Sequence, residues 1–219
     1  MSNKPLSKIQ LSARALGIII GAVGILHGVS ELMQGSALVE TNSVVALPEN
    51  WPNEIFYVAT QGQPAFSILT GIPFYILGIL SVLVSTVLII HSWFFQRRKY
   101  GLLIFVVLNV LVLFFGGGVG TPTMVGLPVV IFWIIANRTS KKKERSASAN
   151  KLNLTLFRVC YWMHIFSWLL FCPGFVIMSA YGKIPEPLFL FDFMSMPISL
   201  LGALIFGLRY DNTFPPVKN

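Results

Sequence analysis

The sequence contains few charged residues. Only 11% of its 219 residues are Asp, Glu, Lys or Arg, against about 25% in soluble globular proteins. Hydrophobic residues make up 55% of the chain, and the mean hydropathy is +0.74. Apolar runs of about 20 residues, the length that crosses a bilayer core, recur along the chain. This composition excludes an ordinary soluble domain and predicts an all-α, polytopic integral membrane helix bundle in the cell membrane.

Cysteine is also scarce, and no motif for a cofactor or a catalytic group is present. Cys160 and Cys172 fall in one predicted helix, about 18 Å apart along its axis, so they cannot bond to each other there. The sequence lacks HxxxH, CxxCH and any Cys/His cluster, which argues against a metal ion or a haem. GxSxG and HExxH are missing as well. We therefore expect no cofactor, and a non-enzymatic role is favoured over an enzyme.

The apolar runs predict six transmembrane helices in a four-plus-two arrangement. The predicted spans are residues 15–33, 66–95, 101–115, 123–138, 154–181 and 188–208. The chain then divides into an N-terminal tail (1–14), a four-helix unit (15–137) with a long outer connection (34–64), a basic linker (138–151), a C-terminal hairpin (152–208) and a tail (209–219). A cleavable signal peptide is the alternative interpretation of the first span.

The distribution of charge predicts the orientation. The formal net charge is +8, and the cations lie in short clusters beside the apolar spans. With both termini in the cytoplasm, every Lys and Arg except Lys183 falls on the cytoplasmic side, as the positive-inside rule requires. The basic clusters would then contact anionic lipid headgroups, so the expected partner is the bilayer and not nucleic acid.

The first span combines a packing motif with an ionisable pair. His27 and Glu31 are four residues apart, so they share one face of a helix. An embedded charge costs about 2.5–3.5 kcal/mol on insertion scales, which predicts that this face points into the bundle. Beside it runs a stripe of glycines that lets a neighbouring helix approach closely: Gly17, Gly21, Gly24 and Gly28.

Three further polar residues are predicted inside the membrane. Asn109 lies in the middle of the third span, His164 in the fifth, and Asp192 near the outer end of the sixth. Asn109 is the typical amide that ties helices together. Asp192 has two interpretations, either an acid favoured by the dipole of a helix's first turn or part of an outward-opening polar cluster. The candidate substrate-binding or proton-binding residues are His27, Glu31, Asp192, Asn109 and His164.

A glycine-rich turn is predicted between the third and fourth spans. Glycine permits the close backbone approach that a tight hairpin needs, and exposed N–H groups in such a turn can also hold an anion. The sequence leaves open whether the turn is fully outside or re-entrant. Its residues are Gly116, Gly117, Gly118, Gly120 and Pro122.

These observations support three hypotheses for function. The first is a membrane protein that handles a small solute or an ion through an outward-opening polar pocket. The second is a non-enzymatic subunit or scaffold whose helices pack against a partner membrane subunit or a second copy of the chain. The third is an intramembrane enzyme or cofactor protein.

Overall fold

The computed structural model describes residues 6–32, 35–36, 38, 69, 71–96, 98–115, 125–138, 147–170 and 186–212. In these ranges the chain forms α1 (Lys8–Leu32), α2 (Phe74–Phe94), α3 (Gly101–Phe114), α4 (Leu127–Arg138), α5 (Ala147–Leu169) and α6 (Glu186–Asp211). The predicted all-α class is confirmed for the described residues. One helix lies on each predicted span. Most of the 34–64 connection and the whole glycine turn fall outside the described residues.

Three of these helices have segments long and apolar enough to cross a membrane. They are Lys8–Val29 in α1, Phe74–Phe94 in α2 and Leu190–Asp211 in α6. α3 and α4 are apolar but shorter. By length and composition, the described helices are therefore those of a helical membrane protein.

The six described helices form three antiparallel pairs, α1 with α2, α3 with α4 and α5 with α6. Contacts at both ends of the pairs determine these directions: Gly17 with Ser92 and Gly28 with Gly78, Asn109 with Gly126 and Phe105 with Trp133, Phe157 with Gly207 and Ser167 with Ser195. α3 is parallel to α1, since Gly17 meets Phe105 and Gly24 meets Val112. The N-termini of α1, α3 and α5 thus share one end of the bundle.

This shared end holds the positive charge of the described residues. Their Lys and Arg side chains all belong to the half of the bundle where α1, α3 and α5 begin, and we call it the basic end: Lys8, Arg14, Arg98, Lys99, Arg138, Lys151, Arg158 and Arg209. Glu31 lies at the opposite end, the far end, where α6 begins at Glu186.

α1 is the central helix of the bundle. It contacts each of the other five helices, most extensively α2. Ile9, Ala13, Leu16 and Ile20 form its fully buried face. Because lipid tails are as apolar as these side chains, close packing must hold such a core together in a membrane, rather than exclusion of water.

The N-terminus of α1 is capped twice. The Ser7 hydroxyl accepts the backbone N–H of Gln10 at 3.1 Å, and the Gln10 side chain accepts the N–H of Ser7 at 3.2 Å, which is a capping box. The Asp211 carboxylate at the end of α6 accepts the N–H groups of Lys8 and Ile9 at 2.9 and 3.2 Å. Helix therefore extends into both predicted tails, residues 1–14 and 209–219.

The bundle exposes apolar side chains and buries polar ones. Along α2, large hydrophobic residues recur every three or four positions on the outer face: Tyr75, Ile79, Leu83, Val87, Ile90 and Phe94. Exposed apolar residues of the same kind occur on α3, α4, α5 and α6. Meanwhile Ser81, Ser85 and His91 of α2 are buried. An apolar exterior of this extent fits contact with lipid and not with water.

Candidate functional site

The glycine stripe of α1 packs against a serine stripe of α2. A Cβ added at Gly17 would meet the Ser92 side chain, and one added at Gly24 would meet Ser85. The Ser81 hydroxyl donates to the carbonyl oxygen of Gly24 at 3.0 Å. Because glycine has no Cβ atom and the facing serine side chains are small, the backbones of α1 and α2 can approach each other closely. The stripe is thus occupied by a helix of the same chain.

Glu31 continues this stripe at the far end of α1, one helical turn beyond His27. The Glu31 side chain is 0% exposed, whereas that of His27 is 24% exposed. Oε1 of Glu31 lies 3.7 Å from Nε2 of His27, which is too long for a hydrogen bond. Among the described residues, neither oxygen of Glu31 has a hydrogen-bond partner.

An enclosed carboxyl group without a donor is costly if it is charged. Burying an isolated carboxylate carries a penalty of many kcal/mol, so such groups become neutral or acquire a cation. Within the described part of the chain, the group best placed to share a proton with Glu31 is the half-buried His27 imidazole. The pair can therefore hold a proton, or receive a small cationic or hydrogen-bonding solute.

Asp192 lies in a second polar cluster, between α5 and α6. It is 2% exposed. The Ser195 hydroxyl donates to the Asp192 carbonyl oxygen at 2.9 Å and lies 2.8 Å from the Ser167 hydroxyl oxygen. Since α6 begins at Glu186, Asp192 is about two turns inside the helix, and the first-turn interpretation does not describe it.

His164 lies on the same α5–α6 seam, nearer the basic end. The indole N–H of Trp168 donates to its Nε2 at 3.0 Å. Because an indole nitrogen can only donate, Nε2 must accept, and the ring proton is assigned to Nδ1. Nδ1 then donates to the carbonyl oxygen of Met196 at 3.0 Å. Both ring nitrogens are engaged, so this imidazole is neutral and offers no lone pair to a ligand.

Asn109 is buried where α3, α4 and α1 meet. Its Nδ2 donates to the Phe105 carbonyl oxygen of its own helix at 2.8 Å. Its Oδ1 faces Gly126 and is buried without a hydrogen-bond partner among the described residues. A side chain at position 126 would collide with this oxygen, since a Cβ would lie 2.6 Å from it. The described contacts of Asn109 thus concern helix packing.

The structure sorts the predicted site residues into three places. His27 and Glu31 are together on α1, Asp192 and His164 share the α5–α6 seam, and Asn109 of α3 faces Gly126, just before the start of α4. The hydrogen bond described for Asp192 comes from Ser195 of its own helix, and Ser195 in turn contacts Ser167 of α5. The glycine-turn residues Gly116, Gly117, Gly118, Gly120 and Pro122 lie outside the described residues. Within the described residues, no three His, Cys, Asp or Glu side chains are grouped as metal ligands.

Sequence reasoning missed the buried serines. On α2, Ser81, Ser85 and Ser92 have spacings of four and seven, which place them on one helix face. This regular spacing in an apolar helix was a signal for a packing stripe. Ser167, Ser195 and Ser199 of the α5–α6 seam have no comparable signal, because their relationship depends on the pairing of two helices.

No protein-family model, curated protein or solved structure matches this chain. Its function must be inferred from the geometry of the two polar clusters.

Proposed function

We propose that this chain is a multi-pass protein of the cell membrane that handles a small ion or solute at the His27–Glu31 pair. In this proposal all six helices cross the bilayer, with the basic end in the cytoplasm. The apolar exterior of α2 to α6 and the concentration of Lys and Arg at the basic end support this orientation. The pair then lies in the outer half of the membrane.

The observation that carries the proposal is the state of Glu31. A fully buried carboxyl group with no hydrogen-bond partner among the described residues lowers the stability of the fold. Stability therefore gives no reason for a glutamate at this position. The His27 imidazole is 24% exposed, and its Nε2 lies 3.7 Å from Oε1 of Glu31, so it offers a route by which a proton or a small solute reaches the carboxyl group. Embedded ionisable residues of this kind typically mark ion or substrate pathways.

The helix-packing subunit is the less favoured alternative. Its supporting feature was the glycine stripe, which packs on α2 of the same chain. A partner helix or a second copy would have to use another surface, and the outer face of α2 offers bulky residues such as Leu83 and Phe94. Of the small residues that mark tight contacts between helices in membranes, that face exposes only Thr86.

The test is ion flux in vesicles. Purified protein is reconstituted into liposomes that contain a pH-sensitive dye, and a potassium diffusion potential drives proton movement. We expect wild-type vesicles to show proton flux, or proton-coupled solute uptake from a panel of small solutes, and Glu31→Gln to abolish it. Glu186→Gln is the matched control, because it makes the same change at the start of α6.

The outcomes discriminate between the hypotheses. Loss in Glu31→Gln with retention in Glu186→Gln supports the proposal, provided that both variants have the helical content and elution volume of the wild type. Equal activity in Glu31→Gln and wild type contradicts it. Co-purification of a partner membrane protein that tolerates Glu31→Gln would favour the subunit.

A further inference from the structure

One side of α1 stays open between two neighbouring helices. α2 packs on the glycine stripe, where Gly21 meets Ile89. α5 approaches another side, where Ala15 of α1 and Tyr161 of α5 border the same small cavity. Within the described ranges, α2 and α5 do not pack extensively against each other. The strip of α1 between them therefore faces the surroundings of the bundle.

This strip forms the floor of a groove. Its residues recur every three or four positions, which places them on one helix face, and all of them are partly or fully exposed. We call this strip the α1 groove: Leu11, Arg14, Ile18, Ala22, Ile25 and Val29. All of its side chains except that of Arg14 are apolar, and the short side chain of Ala22 leaves room in its middle.

Arg14 is the charged residue of the α1 groove. It lies six residues inside the candidate span Lys8–Val29, which is about 9 Å along the helix axis. Its Cζ is 5.6 Å from the centroid of the Trp93 ring of α2, and the Trp93 side chain is 53% exposed. The Nε atom of Arg14 is buried and has no hydrogen-bond partner among the described residues.

No carboxylate of the described residues forms an ion pair with Arg14. Glu31, Glu186 and Asp192 lie in the half of the bundle nearer the far end. The Asp211 carboxylate, at the basic end, accepts the backbone N–H groups at the start of α1. A guanidinium group at this depth in a membrane is costly without an anion. Its long side chain can reach the level of the lipid headgroups, where phosphate groups are the available anions.

We infer that the α1 groove binds an anionic phospholipid, with Arg14 holding the phosphate group and the apolar floor holding an acyl chain. A guanidinium group can donate two parallel hydrogen bonds to phosphate oxygens, which a lysine cannot. The Trp93 ring, near the end of α2, supports the cation from below, as aromatic rings at the membrane interface do. The acyl chain would then run from Arg14 along Ile18, Ala22 and Ile25 toward the far end.

The positive charge of the basic end favours an anionic headgroup over a zwitterionic one. Both kinds of lipid carry a phosphate, but a choline group adds a positive charge that the neighbouring Lys and Arg side chains repel. The site shares no residue with the His27–Glu31 pair. It requires α1 and α2 to lie in a bilayer but does not depend on ion flux, so the two proposals can fail separately.

The test counts bound lipids by native mass spectrometry. Delipidated protein in detergent is titrated with dioleoyl phosphatidylglycerol, which is anionic, and separately with dioleoyl phosphatidylcholine, which has the same chains. We expect the first phosphatidylglycerol molecule to bind more tightly than phosphatidylcholine. Arg14→Gln should raise the Kd for phosphatidylglycerol by about tenfold or more, because hydrogen bonds to a charged group are lost. Arg14→Lys, which keeps the charge without the planar fork, should lose less.

Arg209→Gln is the matched control for charge. Arg209 is also at the basic end and over an aromatic ring, with its Cζ 5.9 Å from the Phe206 centroid, and its removal should leave the Kd unchanged. Ala22→Phe is a second variant, which fills the middle of the α1 groove without a change of charge. It should weaken the binding of phosphatidylglycerol, and as an exposed position it should tolerate the larger side chain.

Three results would overturn the inference. The first is equal affinity of the wild type for the two lipids. The second is an equal loss in Arg14→Gln and Arg209→Gln, which would show general attraction between charges and no site. The third is displacement of phosphatidylglycerol by millimolar glycerol phosphate, which would indicate a site for a free phosphate compound. If Arg14→Gln does not fold, the comparison of the two lipids and the Ala22→Phe variant still decide the question.

Discussion

Trp168 donates its indole N–H to Nε2 of His164 at 3.0 Å, one helical turn away on α5. This bond determines the tautomer of the histidine and thereby directs Nδ1 to the carbonyl oxygen of Met196 on α6. Ser199 lies 3.3 Å from the same Nδ1. A side chain that looks like a candidate ligand in the sequence thus joins two helices as a neutral, fully hydrogen-bonded group.

Removal of the indole donor should destabilise the bundle. In Trp168→Phe, Nε2 of His164 is left as a buried acceptor, and we expect the free energy of unfolding to fall by about 1–3 kcal/mol. Unfolding in mixed micelles, followed by circular dichroism, measures this. Trp162→Phe is the matched control, because Trp162 is on the same helix and 64% exposed. An equal effect of the two substitutions would refute the structural role of the bond.

The contact between Gly17 and Ser92 predicts a compensating pair of substitutions. A Cβ at Gly17 would collide with the Ser92 side chain and would lie 2.9 Å from the Phe105 ring. Overpacking of this kind typically costs about 1–3 kcal/mol, so Gly17→Ala should lower the free energy of unfolding by that amount. Ser92→Gly removes the nearest obstacle, and the double variant should recover part of the loss. A double variant that is less stable than Gly17→Ala would contradict the packing described here.

The contact between Asp211 and the start of α1 predicts a contribution from the end of the chain to the first helix. Asp211→Ala leaves the N–H groups of Lys8 and Ile9 without their acceptor. Loss of an N-terminal cap costs about 0.5–2 kcal/mol, and we expect a change in this range. Asp211→Asn, which keeps one acceptor oxygen, should lose less. Hydrogen exchange of the Lys8 and Ile9 amides should accelerate in Asp211→Ala, and unchanged exchange would exclude this cap.

The proposed orientation can be tested by thiol labelling. In a background with Cys160 and Cys172 replaced by Ser, single cysteines are introduced at Lys99 and Ser36, which are both exposed. A membrane-impermeant thiol reagent applied to intact cells should label Ser36→Cys, at the far end, and spare Lys99→Cys. Labelling of Lys99→Cys should require disruption of the membrane. The reverse result would place the basic end outside.

Part of this fold was predictable because it depends on local composition. Apolar runs placed a helix on each predicted span, and the alternation of glycines on α1 indicated a smooth helix face. The capping box at Ser7 and Gln10 also has a local signature, Ser-x-x-Gln before an apolar run.

The partners of the polar side chains were not predictable, because they depend on which helices pack together and in what register. The sequence by itself determined an all-helical chain, apolar enough for a membrane, with His27 and Glu31 on one face of α1. Only the tertiary structure decided that α2 covers the glycine stripe, that Glu31 is enclosed with no hydrogen-bond partner among the described residues, and that Ser195 links Asp192 to Ser167. The physical reason is that hydrophobic periodicity reports which face of a helix is buried, whereas hydrogen bonds between helices depend on atomic distances across an interface.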